Sequence, residues 1–355
     1  MSSMNRREFG VLALSPLLVA RGPVTEERKP FRGSPNRDER EGERRATPRA
    51  TEQTSARAYR YIHLDVFTDK RLQGNQLLVY VDPAGLDTEA MQTLTRESNF
   101  SENTFVFPPE QQGTDHRVRI FSRTAEMPFA GHPTIGTAFA LAHVGRLKPD
   151  QTRTTFGLGV GPTRIDLEWK DGTLAFAWMT QQKPTFGKTI TDTAALAAAL
   201  GLDAASIDTR APAQEVYSGS TFLIVPLTTR KAVDAAAIDR AKVDAVFNAA
   251  GVQRRGLYVF SMERGQDDAT AYSRMLPAGG IEDPATGSAV GPAGSFMAKH
   301  RFVPMDRAGS IVVLQGVIAR RPSRLHVRVE FSGGDVSGVK VGGAAAVVGE
   351  GTAMP

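Results

Sequence analysis

A seven-residue skeleton, E-x-P-x-[AT]-G-[HS], occurs twice in this 355-residue chain. The first copy is Glu126-Met127-Pro128-Phe129-Ala130-Gly131-His132. The second, Glu282-Asp283-Pro284-Ala285-Thr286-Gly287-Ser288, comes 156 positions later, counted from Glu126 to Glu282. In each copy an acid precedes a Pro-Gly loop and a small-residue, apolar segment follows, residues 134–144 and 289–298. A glycine-containing turn that opens a helix leaves backbone N–H groups free at the helix start, and these attract a carboxylate or other anion. One such loop reads as a helix cap with no ligand. Two, one per half, favour a small acid gripped between related lobes, and the chain has room for two domains of ordinary size.

Composition narrows the chemistry. The apolar fraction of 41% with 23% charged residues is that of a globular protein. Cysteine is absent, which removes disulfides, thiolate metal sites and Cys nucleophiles together. The net charge of +5 raises nucleic acid as a partner. Much of the basic excess, however, lies in the N-terminal segment with no aromatic-basic platform behind it, so the charge is read as solubility and no nucleic acid is expected. That segment opens with Asn5-Arg6-Arg7-Glu8-Phe9, a moderate apolar run over 10–20 broken by Ser15 and Pro16, and then Arg21. Residues 1–22 resemble a twin-arginine export signal, too short to span a bilayer. Export to the periplasm or the medium is expected, with no membrane attachment afterwards; a cytoplasmic protein with chance arginines is the alternative. Residues 23–57 lack apolar periodicity and read as a disordered linker.

From residue 58 onward, two halves repeat one order. In the first lobe, 58–180, strands are expected at 59–67, 72–81, 104–107, 117–122, 153–156, 163–169 and 173–179. Helices are expected over Thr88–Ser98 and 133–145, the second apolar nearly all round and therefore buried. In the second lobe, 181–342, residues 219–225 parallel 74–79, a helix covers 235–250, and strands cover 256–261, 269–275, 310–315, 324–330 and 336–341. Pro292 places the start of the second buried helix near Val290. Residues 343–350 read as a last strand crossing back to the first lobe. The fold class is α+β, two pseudo-symmetric lobes, each a mostly antiparallel sheet around a buried helix, since antiparallel-type strands outnumber βαβ units.

Four residues stand out chemically. Glu102 lies in an Asn-Phe-Ser-Glu-Asn turn between Phe100 and Phe105, where lost hydration would raise its pKa into proton-shuttling range; the alternative is a turn residue facing water. His132, at a helix mouth, would meet an anion or a substrate hydroxyl in its neutral form. Asp283 would orient an amine or hydroxyl, or is a turn-forming Asx residue. Ser288 reads as a helix N-cap that also offers donors to a carboxylate. The remaining histidines show no HxxH or HxxxH pairing, so no metal site is expected. Gly157-Leu158-Gly159-Val160-Gly161-Pro162 lacks the spacing of a nucleotide loop and is a strand-to-strand connection. With no Gly-x-Ser-x-Gly elbow or Lys-bearing phosphate loop, hydrolase and kinase readings are weak.

At these residues the chain resembles the PhzF phenazine-biosynthesis family, of the diaminopimelate epimerase-like fold. The stretches that carry the likeness are Asp65-Val66-Phe67-Thr68, Gly74-Asn75-Gln76, Ser101-Glu102-Asn103-Thr104-Phe105, Arg119-Ile120-Phe121, Pro128 through Thr134, Glu282 through Ala289, Gln315-Gly316 and Arg321-Pro322-Ser323-Arg324-Leu325-His326. The resemblance implies that Glu102 shuttles the proton, that His132 and Asp283 are catalytic, and that Ser101, Gly131, Gly287 and Ser288 bind substrate. It also implies no cofactor, a small carboxylate as substrate and a homodimer. The fold's epimerases carry two cysteines where this chain has Ala130 and Thr286, so two-thiol racemisation is excluded. The chain departs from the family's pattern at Arg123, often proline there, and at Ala319-Arg320, where a glycine is usual. The expected reaction is a proton shift from C3 to C1 of trans-2,3-dihydro-3-hydroxyanthranilate or a similar small cyclic amino acid. The alternatives are an exported isomerase or epimerase of another small amino or hydroxy acid, and a small-acid-binding protein without turnover.

Overall fold

The computed structural model describes residues 57–253, 256–277 and 281–355; the expected export signal, and all of the expected linker but Arg57, lie outside them. The first half runs β1 (Tyr59–Val66), β2 (Asn75–Tyr80), α1 (Thr88–Ser98), β3 (Glu102–Phe107), β4 (His116–Ser122), β5 (Glu126–Met127), α2 (Gly131–His143), β6 (Arg153–Leu158), β7 (Gly161–Lys170) and β8 (Thr173–Thr180). The second half starts with β9 (Thr185–Ile190), α3 (Thr193–Ala199), β10 (Ala213–Tyr217), β11 (Thr221–Leu227), α4 (Arg230–Ala235), α5 (Arg240–Ala250) and β12 (Gly256–Ser261). It ends with β13 (Ala271–Leu276), α6 (Gly287–Lys299), β14 (Ile311–Gln315), β15 (Ser323–Ser332), β16 (Asp335–Gly343) and β17 (Ala345–Ala353).

Pairing makes the repeat explicit. Hydrogen bonding runs β17–β1–β2–β3–β4–β6–β7–β8 in one half and β9–β10–β11–β12–β13–β14–β15–β16 in the other. Both runs read antiparallel, antiparallel, parallel, antiparallel, parallel, antiparallel, antiparallel. A parallel pair needs a long crossover, and each one here has helices in it: α1 and α2 in the first half, α4 with α5 and then α6 in the second. Strands β8 and β16 pair antiparallel and join the two runs. Each half therefore opens with the strand that follows the other half's last one in sequence, β17 (after β16) beside β1 and β9 (after β8) beside β10. This is the α+β architecture of two pseudo-symmetric lobes.

The central helices are apolar on every side, as a helix enclosed by sheet must be. Ile135, Ala138, Ala140 and Leu141 of α2 share one core cluster with Ala289, Val290, Ala293, Phe296 and Met297 of α6. A smaller cluster packs Met91 and Leu94 of α1 on Tyr80, Phe105 and Phe121.

Three expectations needed correction. The helix over 235–250 is two helices. Asp239 accepts from Lys242 N and starts α5, while Arg274 Nη1 takes the carbonyls of Val233, Asp234 and Ala236 at the end of α4. Helix α6 starts at Gly287 rather than near Val290, because Thr286 O accepts from both Ala289 N and Val290 N. Pro292 thus sits in the second turn, where it withholds the N–H that the Ser288 carbonyl would otherwise accept. Strands β9 and β10 and helix α3 had no sequence-based counterpart. Half of the six residues of β9 are exposed, and its pairing partner lies more than twenty residues away.

Candidate active site between the paired loops

The duplicated loops meet backbone to backbone. A Cβ placed on Gly131 would lie 2.3 Å from the carbonyl carbon of Gly287 and 2.5 Å from Ser288 N. Only glycine permits that approach, and it sets the starts of α2 and α6 side by side. The first N–H groups of a helix have no acceptor within it and carry the positive end of its dipole. Two such ends converge here. Phe67 wedges the arrangement in place: its ring lies within 3.0 Å of where Cβ atoms on Gly287 and Gly343 would stand. Its backbone holds a left-handed φ of 65°, a costly state for a bulky residue.

Side chains from both lobes surround this junction. Glu102 is the first residue of β3, set opposite Leu77 of β2 and Ser122 of β4. Its Oε2 stands 3.6 Å from His132 Nε2. Asn75 connects the lobes. Its Nδ2 reaches Asp283 Oδ1 at 2.6 Å and Ala285 O at 3.0 Å, and lies 3.1 Å from His132 Nδ1. Its Oδ1 accepts from Ser101 Oγ. On the far side Thr286 Oγ1 donates to Asp283 Oδ2, and Gln315 Nε2 donates to Asp283 O and Thr286 Oγ1. Gln315 is itself held by Tyr258, which donates to its Oε1.

These surroundings reset three titrations. Burial, and then the negative charge of Asp283, push the Glu102 carboxyl up to about 8, against weaker pulls from the Ser101 hydroxyl and the Arg123 charge. The group is not sealed off, since 21% of its side chain meets solvent. Burial raises Asp283 to about 6, opposed by its bonds from Thr286 and Asn75. Burial alone holds His132 down to about 3, so the ring is neutral at working pH. Among the described residues His132 Nε2 has no hydrogen-bond partner. Whichever nitrogen carries the proton, Nε2 is the one left to face Glu102 or a ligand. The arrangement suits proton transfer: a carboxyl poised to take and give, a second carboxylate, a neutral imidazole and two donor-rich helix starts.

Of the residues singled out in the sequence, Glu102, His132, Asp283, Ser101, Gly131, Gly287 and Ser288 all fall around this junction. Several local readings change. Glu102 opens a strand rather than lying in the turn. Phe105 does not line the pocket but stacks on Tyr80 at 4.7 Å in the cluster under α1. Ser288 is not the N-cap; Thr286 holds that position and Ser288 lies in the first turn. Burial, more than the helix end, keeps His132 neutral. The hub residues Asn75, Thr286 and Gln315 were not picked out for a role. Their signal was polarity inside an apolar run, since Asn75 and Gln315 are buried at 2% and 0% exposure.

Comparison with known proteins places the chain in a family. A family model described as phenazine biosynthesis-like protein matches residues 64–351. The trans-2,3-dihydro-3-hydroxyanthranilate isomerase of Pseudomonas aeruginosa is 38% identical over 302 residues, covering 83% of this chain and 99% of that protein. The isomerase of the same name from Pseudomonas chlororaphis is 34% identical over 302 residues, with the same coverage. Among solved structures, a PhzF-family phenazine biosynthesis protein from Bacillus anthracis superposes with a TM-score of 0.74 at 25% identity, over 84% of this chain and all of that one. A hydroxyproline epimerase from Agrobacterium vitis shares the fold at a TM-score of 0.59 and 11% identity, over 84% of this chain and 91% of that one. With its matched motifs distributed over both lobes, the chain belongs to the PhzC–PhzF, phenazine biosynthesis-like family of isomerases.

Proposed function

We propose that this isomerase moves a proton from C3 to C1 of trans-2,3-dihydro-3-hydroxyanthranilate or a similar small cyclic amino acid, without a cofactor. The observation that carries the reading is the placement of Glu102, a carboxyl with a pKa near 8 standing 3.6 Å from a neutral His132 at the meeting point of two helix starts. The substrate carboxylate docks on the N–H groups that open α2 and α6. Ionised Glu102 takes the C3 proton, the diene electrons shift, and the same carboxyl returns the proton at C1. The enol formed then becomes the ketone. Nothing is oxidised and no atom is lost.

The roles follow from charge. A base with a pKa near 8 is ionised in about a tenth of molecules at pH 7 and holds a proton firmly enough to deliver it to carbon. Asp283 lies within reach of an amine or hydroxyl on the ring, and His132 Nε2 meets the other polar substituent. Asn75 aligns both and is a positioning residue. The relatives named as isomerases of this substrate support the choice of ring.

The test is turnover in deuterated water, followed by NMR. Conversion of trans-2,3-dihydro-3-hydroxyanthranilate to the isomerised ketone is the expected result. No conversion of that compound, with deuterium entering another small amino or hydroxy acid, would replace the substrate and keep the proton chemistry. No exchange with any member of such a panel would leave a binding protein.

A further inference from the structure

One cation beside the pocket has little to do in the structure. Arg123 occupies the turn between β4 and β5, directly after Ser122, the cross-strand partner of Glu102. Its guanidinium reaches back over the segment that leads into β3 and touches Asn99 O at 3.5 Å, a long contact for a hydrogen bond. The side chain is half-buried. Neighbouring arginines are committed elsewhere. Arg119 spends Nε and Nη2 on Glu126 and Thr88. Arg321 is tied to Asp65, Gln73 O and Gly74 O. A guanidinium offers five donors in a planar fork suited to a carboxylate. Arg123 follows the cross-strand partner of Glu102 on the β3–β4 side, and its positive charge acts on the Glu102 carboxyl, while the helix starts belong to α2 and α6.

We propose that Arg123 is a specificity-determining residue that receives a second anionic group on the substrate ring, so that this enzyme prefers small cyclic acids bearing two carboxylates or a carboxylate and a comparable anion. The inference rests on the reading above, in which the first carboxylate sits on the helix starts. A ligand with one carboxylate uses that site alone. A ligand with two spans from the helix starts to the rim and gains a charge-assisted, bidentate contact.

The experiment is titration calorimetry with three probes: anthranilate, 2-aminoterephthalate and its isostere 2-amino-4-carbamoylbenzoate, in which the second carboxylate is replaced by a neutral amide. The wild-type protein should bind 2-aminoterephthalate roughly 10-fold or more tightly than the isostere, the scale of one charged hydrogen-bonded contact. Arg123→Gln should abolish that ratio while changing anthranilate affinity less than about threefold. Arg123→Lys, which keeps the charge but loses the fork, should restore part of it. A wild type that does not distinguish the dicarboxylate from its isostere, or a ratio that survives Arg123→Gln, overturns the inference alone. Failure of anthranilate itself to bind overturns the docking of the carboxylate at the helix starts, and the inference with it.

Discussion

Glu102 and Gly256 hold the same place in the two lobes. Each opens the strand that pairs in parallel with the one before its helical crossover, Glu102 opposite Leu77 and Gly256 opposite Phe222. Three residues further on, Phe105 faces Arg119 across one antiparallel pair and Val259 faces Arg274 across the other. Both arginines then bridge to the acid that opens the duplicated loop, Arg119 to Glu126 at 2.6 Å and Arg274 to Glu282 at 2.8 Å. The scaffold is therefore doubled down to its ion pairs, whereas Glu102 faces no acid counterpart, since Gly256 holds its place in the other lobe. Duplication supplies two helix starts, which an anion can use together. A second shuttle on the opposite face is what a racemase needs, and a shift along one face of a ring has no use for it.

The sharpest break in this comparison is Glu102→Gln. Losing a positioned acid–base group should lower kcat by roughly 10²–10⁴-fold, measured by product formation, with anthranilate affinity held within about threefold. The ion pairs give the next contrast. Arg274 and Glu282 are 9% and 10% exposed, and Arg274 also holds three carbonyls at the end of α4. Glu282→Ala strands a buried charge and should cost about 3–5 kcal/mol in denaturant unfolding. Glu126→Ala removes the solvent-facing counterpart and should cost about 1 kcal/mol or less.

A smaller effect separates the lobes by pH. The folded-state pKa of Glu102 is raised to about 8, so its native-state proton stabilises the fold fully below the unfolded value and the benefit is lost as pH rises toward 8. Glu102→Gln should therefore gain thermal stability relative to wild type between about pH 5 and 9, by a few degrees at most because the carboxyl is partly solvated. A variant whose Tm tracks the wild type at every pH would contradict the raised pKa. Gly256→Ala should matter least. Its Cβ meets the mobile end of Met275 at 2.2 Å and the Phe222 ring at 3.1 Å, so a cost of about 1 kcal/mol with unchanged kcat is expected.

The sequence was most legible where local rules and tertiary structure agree. The repeated loop placed both central helices and the residues around their starts. Sequence patterning places strands where β1, β7 and β15 form, and Asp87 through Ser98 has the cap and periodicity of α1. Legibility failed where a distant partner decides the outcome. The break between α4 and α5 falls in an Ala-Ala-Ile run with no breaker, and it is held open by Arg274 from another strand. Strand β9 acquires its role by crossing to β10, which no local pattern records. Asn75 carries no local sign of its role because its work lies 208 residues away, at Asp283.

The most direct measurement is the ionisation of Glu102 itself, taken as the carboxyl ¹³C titration of the wild type minus that of Glu102→Gln. The raised, partly solvated carboxyl described here predicts a midpoint near 8, with an inflection near 6 as Asp283 titrates beside it. A single midpoint at the ordinary carboxylate value, about 4.3, would contradict the proton shuttle at its source.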